Sequence, residues 1–293
     1  MRREAIAAAA VVCGVLVLAA SCAPDLEKQS QLLDRVRLLA LRAEPPEANL
    51  EDGGLPPPIA FEPLAYPDGG LSFRLALCGP GNPFSADFDC PGSNGLDLPD
   101  LVLDASRPEV QAFLQSAYGG AGGLDGGINV GEPGVAQIPI GYLLERPDGG
   151  PDPSNRERGI YRLAVRFSGA PNHNPELLDV TLADGGTLQG AALPLNQELR
   201  LYPRIPDGGP GGIETFVGLD GGVQHERFSY SWASTAGEVV DFRSAEPIPE
   251  DPSATSDIRF RTHETPGPVQ IYVVLRDLRG GVSWLVFDAT LGP

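Results

Sequence analysis

Apolar residues recur at every second position through much of the chain, in short runs closed by Gly, Pro or Asp. In GIYRLAVRFSG the alternation sets Tyr161, Leu163, Val165 and Phe167 on one side and Arg162 and Arg166 on the other, the period of a half-buried strand. RVRLLALRAEPPEA (Arg35 to Ala48) alternates until Pro45-Pro46, and DLVLD (Asp100 to Asp104) and GVAQIPIGYLLE (Gly134 to Glu145) are further runs. In IAFEPLAYPDGGLSFRLALC two runs flank Pro67-Asp68-Gly69-Gly70, which predicts a hairpin with Phe73, Leu75 and Leu77 on one face. One segment departs from this period. SRPEVQAFLQSAYGG has Ser106 and Glu109 at capping-box spacing, Pro108 in the first turn, and Val110, Phe113, Leu114 and Ala117 at helical spacing. It predicts a short amphipathic helix near 107–118, stopped by Gly119-Gly120 and packed on the domain by its apolar stripe.

GAPNHNP (Gly169 to Pro175) has no apolar period and marks a boundary. Seven strand-like runs follow it, from LLDVTLADGGTLQG to GVSWLVFDATL, enough for a sandwich of ~100 residues. The last two runs are joined by Leu278-Arg279-Gly280-Gly281. Val269, Ile271, Val273 and Leu275 are expected to face Val282, Trp284 and Val286 across that hairpin. Trp232, with Phe228 and Tyr230, supplies a second aromatic row. The expected fold is therefore all-β: two tandem Ig-like β-sandwich domains at 34–168 and 176–293, joined by a linker at 169–175, with one short helix inserted in the first.

Composition agrees. Gly and Pro number 37 and 30 of 293 residues, which suits many turns between short strands. Asp-Gly-Gly occurs seven times, beginning at Asp52, Asp68, Asp125, Asp148, Asp184, Asp207 and Asp220. The gaps of 16, 57, 23, 36, 23 and 13 lack the nine-residue period of calcium-binding β-rolls, so turns are the preferred reading. A formal net charge of −18 repels phosphate backbones and anionic headgroups, and no nucleic-acid partner is expected.

The N-terminus reads as an address. Arg2-Arg3 precedes an apolar run from Ala5 to Ala20, too short for the ~20 residues a bilayer span needs. A basic start, an apolar stretch and the small residues Ala19, Ala20 and Ser21 describe a secretory signal over 1–21, followed at once by Cys22. LAASC resembles the lipobox of bacterial lipoproteins, which implies that Cys22 is acylated and becomes the mature N-terminus. Residues 22–33 then form a tether. Ala23 follows that cysteine, not Asp, which by the enteric sorting rule implies the outer membrane. With Cys13 removed and Cys22 lipidated, Cys78 and Cys90 remain. An even pair in an exported chain most simply forms a disulfide, worth ~3 kcal/mol on the chain-entropy model; a metal pair is the competing reading, without any CxxC or HxxxH beside it.

Catalytic signatures are missing from the sequence. His173, His225 and His263 are isolated, PGSNG lacks the spacing of a nucleophile elbow, and there is no P-loop or GxGxxG. No catalytic residue, metal ligand or cofactor is assigned. Weak ligand candidates are Asp87 and Asp89, two apart in the Cys78–Cys90 loop where alternate carboxylates can hold Ca²⁺, and Trp232 in the aromatic–serine strand RFSYSW, which can stack on sugars.

RVRLLALRAEPPEA, PNHNP and VVLRDLRGGVSW together resemble uncharacterised cell-envelope lipoproteins of myxobacteria, in which a lipobox precedes Ig-like β domains rich in Asp-Gly-Gly turns. The resemblance implies a location and a fold and brings no catalytic residues. The expected function is a non-enzymatic, membrane-anchored surface lipoprotein with a structural or interaction role. Its partners would be the membrane, through the lipid, and an envelope protein or polysaccharide. A carbohydrate- or calcium-binding module and an envelope hydrolase are the alternatives.

Overall fold

A computed structural model describes residues 33, 35–50, 55–79, 90, 92, 95–118, 133–148, 150 and 152–292. The signal segment, Cys22, Asp87 and Asp89 lie outside the described residues. The first unit comprises β1 (Arg37–Glu44), β2 (Glu47–Asn49), β3 (Ile59–Tyr66), β4 (Ser72–Cys78), β5 (Gly95–Asp97) and β6 (Val102–Leu103). Helix α1 (Pro108–Tyr118), β7 (Val135–Glu145) and β8 (Arg156–Arg166) complete it. A three-stranded sheet, β1-β3-β6, lies over a five-stranded one, β2-β8-β7-β4-β5. Leu41, Ala43, Ile59 and Phe61 of the small sheet meet Leu75, Leu77, Ile140, Leu163 and Val165 of the large one. Val110, Phe113 and Leu114 of α1 join this core, as the helical stripe predicts.

The second unit holds β9 (Asp179–Leu182), β10 (Ala192–Pro194), β11 (Glu198–Arg204), β12 (Thr215–Val217), β13 (Val223–His225) and β14 (Ser229–Ser234). It continues with β15 (Glu238–Val239), β16 (Arg243–Ala245), β17 (Ile258–Arg261), β18 (Gly267–Arg276) and β19 (Val282–Gly292). Sheets β10-β19-β18-β14-β16 and β15-β17-β11-β9 enclose Phe228, Tyr230, Trp232, Phe260, Ile271 and Phe287, and β12-β13 forms a separate ribbon. The protein is thus all-β, two sandwiches in tandem with one short helix.

Over the first half of β1 and the second half of β3 the small sheet of the first sandwich is covered on both faces. Leu39, Ala40, Leu64 and Tyr66 pack on Ala233, Tyr272, Val274, Val282 and Trp284, the outer face of β14-β18-β19. Four sheets are therefore stacked through the molecule. A β-bulge between Leu38 and Ala40 lets Leu39 and Ala40 both turn toward the second sandwich while Leu41 and Ala43 stay in the first core. This explains why Leu38-Leu39-Ala40-Leu41 interrupts the alternation expected of β1, since a stretch of strand covered on both faces need not alternate.

Four expectations are corrected. β3 and β4 do not form a hairpin: β3 pairs with β1 and β6, β4 with β5 and β7, so Pro67-Asp68-Gly69-Gly70 carries the chain from one sheet to the other. The β18–β19 hairpin exists, but Val273 pairs with Leu285 and Ile271 with Phe287, one residue away from the expected register. Val282 and Trp284 consequently face the first sandwich. Near the turn, at Tyr272, Val274, Val282 and Trp284, the outer face of this hairpin is apolar and packed like the inner one, so hydrophobic pattern there does not select between registers. Arg166, placed on the polar face, is only 1% exposed, and Phe167, placed in the core row, is 42% exposed just beyond the strand end. Ser106 gives its hydroxyl to Asp104 Oδ1 (2.6 Å), with its amide on the same oxygen (2.9 Å), so the turn before α1 is organised by Asp104.

The Asp-Gly-Gly turns follow their expected chemistry where described. Asp184 and Asp220 each accept the amide of the second glycine (2.9 Å), and Gly185 and Gly221 take φ of 84° and 77°.

Candidate functional site

The junction between the sandwiches is clasped by polar groups from the segments 44–50, 169–175 and 276–282. Glu47 Oε1 accepts from Arg166 Nε (2.6 Å) and from the Asn172 amide (2.8 Å). The Asn172 side chain donates to Asp277 Oδ2 (3.1 Å), whose other oxygen accepts the amides of Arg279 and Gly281, both at 2.8 Å. Arg279 crosses to Glu226 Oε1 (2.8 Å), lies 3.7 Å from Glu214, and donates to the Ala170 carbonyl (3.1 Å). Asn174 bridges the units from both ends of its amide, donating to the Ala43 carbonyl (2.8 Å) and accepting from the Val282 amide (2.8 Å). The segment 169–175, expected as a plain linker, is a bolt.

Burial first, and then the charge of Asp277, push the Glu226 carboxyl up to about 7 despite the guanidinium beside it. Asp277 is raised by burial against the hydrogen bonds it accepts. The clasp holds geometry and presents no open surface to a ligand.

The open feature lies along the same seam. A cleft of roughly 570 Å³ is walled by β1 and the residues before it, the start of β8, and β14, β16 and β18. Six arginines line it: Arg35, Arg37, Arg156, Arg158, Arg243 and Arg276. The first four come as Arg-x-Arg pairs on or beside strands, where a spacing of two puts both side chains on one face. Arg276 is held by Ser231 Oγ (3.0 Å) and the Leu39 carbonyl (2.7 Å), and Arg243 lies over the Phe242 ring at 5.2 Å. Burial, followed by the charge of Arg243, lowers the pKa of Arg276.

The single acidic lining residue, Glu157, has both oxygens occupied, by the Leu38 amide (3.0 Å) and the Tyr142 hydroxyl (3.1 Å). Six guanidiniums and one carboxylate give the lining a formal charge of +5, in a chain of −18. The described lining includes no His and no Cys, and the Ser231 hydroxyl is bonded to Arg276. The chemistry on offer is anion recognition through charge-assisted hydrogen bonds.

Of the residues singled out in the sequence, Cys78 and Cys90 are joined as a disulfide, with Cα atoms 5.9 Å apart, packed against the backbone of Gly95 and Gly141. Trp232 is 3% exposed and belongs to the second core; its Nε1 donates to Ser244 Oγ (3.3 Å) and its edge reaches the cleft floor. The arginine cleft was not anticipated. Its two Arg-x-Arg pairs were the available signal, but nothing local joins residues 35, 156 and 276.

No protein-family model matches the chain, and no curated protein sequence is similar to it. Solved structures give distant likenesses. Fibronectin(III)-like modules of Clostridium thermocellum CbhA are 10% identical over 86% of this chain and 94% of that one, with a TM-score of 0.23. The C-terminal domain of the Streptococcus agalactiae AgI/II polypeptide BspA is 10% identical over 87% and 80%, with a TM-score of 0.23. BspA_C_mut is 11% identical over 53% of this chain, which spans about half of that one (55%), with a TM-score of 0.22. The sandwich assignment rests on the sheets and cores of this chain and draws nothing from these scores.

Proposed function

We infer that the protein is a non-enzymatic envelope lipoprotein, anchored through acylated Cys22 and built of β domains at 34–168 and 176–293, that holds an acidic envelope partner in the arginine cleft. The observation that carries this reading is the cleft itself: both sandwiches build it, it is cationic within an acidic chain, and its walls supply donors and no nucleophile–base pair. The N-terminal sequence supports the anchor. Cys22 lies 11 residues before Leu33, which is buried against Ala233 and Tyr272 at the seam, so even a fully extended segment holds the seam at most about 40 Å from the bilayer.

Fractionation of envelopes tests both parts. The native chain should stay with membranes at about 0.5 M NaCl, where screening shortens the Debye length to roughly 4 Å. Cys22→Ser should be retained at low salt only, through the cleft, and Cys22→Ser with Arg156→Glu and Arg158→Glu should be free at any salt. Salt-resistant retention of Cys22→Ser removes the anchor from the reading; release of Cys22→Ser at low salt removes the envelope partner.

A further inference from the structure

We propose that the cleft is a site for a compact ligand carrying at least two phosphate groups. This deepens the cleft reading above and is independent of the lipid anchor. Charge density is the first reason. A lining of +5 around roughly 570 Å³ is not neutralised by a single carboxylate or sulfate, whereas two phosphomonoesters bring about −3 to −4 at neutral pH in a small volume. The space itself is that of a small-molecule pocket, which runs about 300–1,000 Å³.

Placement is the second. Only Lys28 is a lysine in this chain, so the choice of arginine carries no information. Where the arginines stand does. Carboxylates pair with Arg42, Arg74, Arg200, Arg259 and Arg261 across the described surface. Among the described residues no carboxylate pairs with Arg35, Arg156, Arg158 or Arg243. Four exposed guanidiniums line this one cleft with the half-buried Arg276 and without a carboxylate partner of their own, an excess of like charge that an anion entering the cleft would relieve.

Size is the third. A long polyanion would run over the acidic surface around the cleft and be repelled there, while a small ligand meets only the guanidiniums. The ligand also bridges the sandwiches, because Arg35, Arg37, Arg156 and Arg158 belong to the first and Arg243 and Arg276 to the second.

Titration calorimetry of the purified Cys22→Ser chain with inorganic pyrophosphate, at low salt and pH 7.5, tests the proposal. Saturable binding is expected with a dissociation constant below about 100 μM, weakened by added NaCl and at least about tenfold tighter than for inorganic sulfate. Arg156→Gln and Arg158→Gln alter exposed side chains and should each weaken pyrophosphate about tenfold or more, the scale of one charge-assisted contact. Arg200→Gln, paired with Asp257 outside the cleft, should bind as the native chain does. Phosphatidylglycerol vesicles added as competitor test the compactness: their headgroups carry one phosphate each on an extended anionic surface, so they should leave pyrophosphate bound, and displacement by them, with none by phosphatidylcholine, overturns the requirement for a compact ligand with two phosphates. The absence of saturable binding up to about 1 mM pyrophosphate overturns the proposal, as does equal affinity in the Arg156→Gln, Arg158→Gln double variant. The lipid anchor takes no part in the titration, so its failure and that of the ligand show separately.

Discussion

Replacing Arg279 by Met should destabilise the protein in a pH-dependent way, with a sign fixed by Glu226. The guanidinium is, with that of Arg166, one of two buried cations of the clasp; it stands 2.8 Å from Glu226 and lies 5.3 Å over the Phe216 ring. Glu226 is 2% exposed and titrates near 7, against an ordinary value of 4.5. A carboxyl raised on folding binds its proton more tightly in the native state, so the stability it confers is fully present below about 4.5 and is lost as pH rises through about 7. That displacement is worth about 3 kcal/mol. Above pH 7 the carboxylate is charged and depends on Arg279; without the guanidinium it takes up a proton instead, which at pH 8 costs about 1.4 kcal/mol for a group that titrates near 7. At pH 5 Glu226 is protonated with or without the arginine. Arg279→Met then forfeits a hydrogen bond to a neutral acid and the donor to Ala170, about 1–2 kcal/mol. Asp277, Glu47, Arg166 and His173 are present in both proteins, and Glu214, 3.7 Å from the guanidinium, loses that neighbour at pH 5 and pH 8 alike.

Urea unfolding at pH 5 and pH 8 reads the effect, with fluorescence reporting on Trp232 in the second core and Trp284 at the seam. The cost of Arg279→Met should be larger at pH 8 by about 1 kcal/mol, with about 1.4 kcal/mol as the ceiling set by protonating at pH 8 a carboxyl that titrates near 7, and in Glu226→Gln, which cannot ionise, the cost should be the same at both pH values. An equal cost in the native background at the two pH values, or a larger one at pH 5, refutes the assignment of a titrating Glu226 to this clasp.

Two further outcomes follow from the junction and the loop. A Cβ at Gly281 would overlap Asp277 Oδ2 and stand 2.8 Å from the His173 carbonyl and 2.9 Å from Pro175 Cδ, so Gly281→Ala should lower the urea midpoint and expose Trp284 to quenchers before Trp232. Removing the disulfide with Cys78→Ala and Cys90→Ala should cost about 3 kcal/mol by unfolding under oxidising conditions; no change on chemical reduction of the native chain would contradict it.

Much of the architecture was legible because it depends on period two. The core face of β4 was placed correctly from Leu75 and Leu77, as was the packed stripe of α1 from Val110, Phe113 and Leu114. Failures cluster where one face of a strand is not simply solvent. Val282 and Trp284 look like core of their own sandwich because they are buried, but against the other sandwich. Arg166 alternates as a surface residue and is buried on Glu47, a partner 119 positions away. The turn after Tyr66 has hairpin residues yet crosses between sheets, since turn chemistry fixes a chain reversal and says nothing of which sheet receives the next strand. The cleft was illegible for a similar reason. Its arginines come from five separate elements or approaches, and their convergence is a property of the docked sandwiches.

That docking brings three segments far apart in the sequence to one place. The first strand and its Pro-Pro exit, the Asn-rich segment and the last hairpin meet in space: Ala43 and Glu44 with Asn174, Glu47 with Asn172, Asn172 with Asp277, and Asn174 with Val282. A buried polar network of this kind is a weak source of net stability, because desolvation offsets most of its attraction. Its hydrogen bonds are directional, however, and an apolar seam alone would let two sheets slide. Bolting the seam fixes Arg35, Arg37, Arg156 and Arg158 against Arg243 and Arg276, so the cationic walls are set before any anion arrives. Loosening the clasp at Arg279 or Gly281 should therefore weaken pyrophosphate binding without touching the cleft, and an unchanged affinity in a folded Gly281→Ala chain would show that the walls keep their spacing without the bolt.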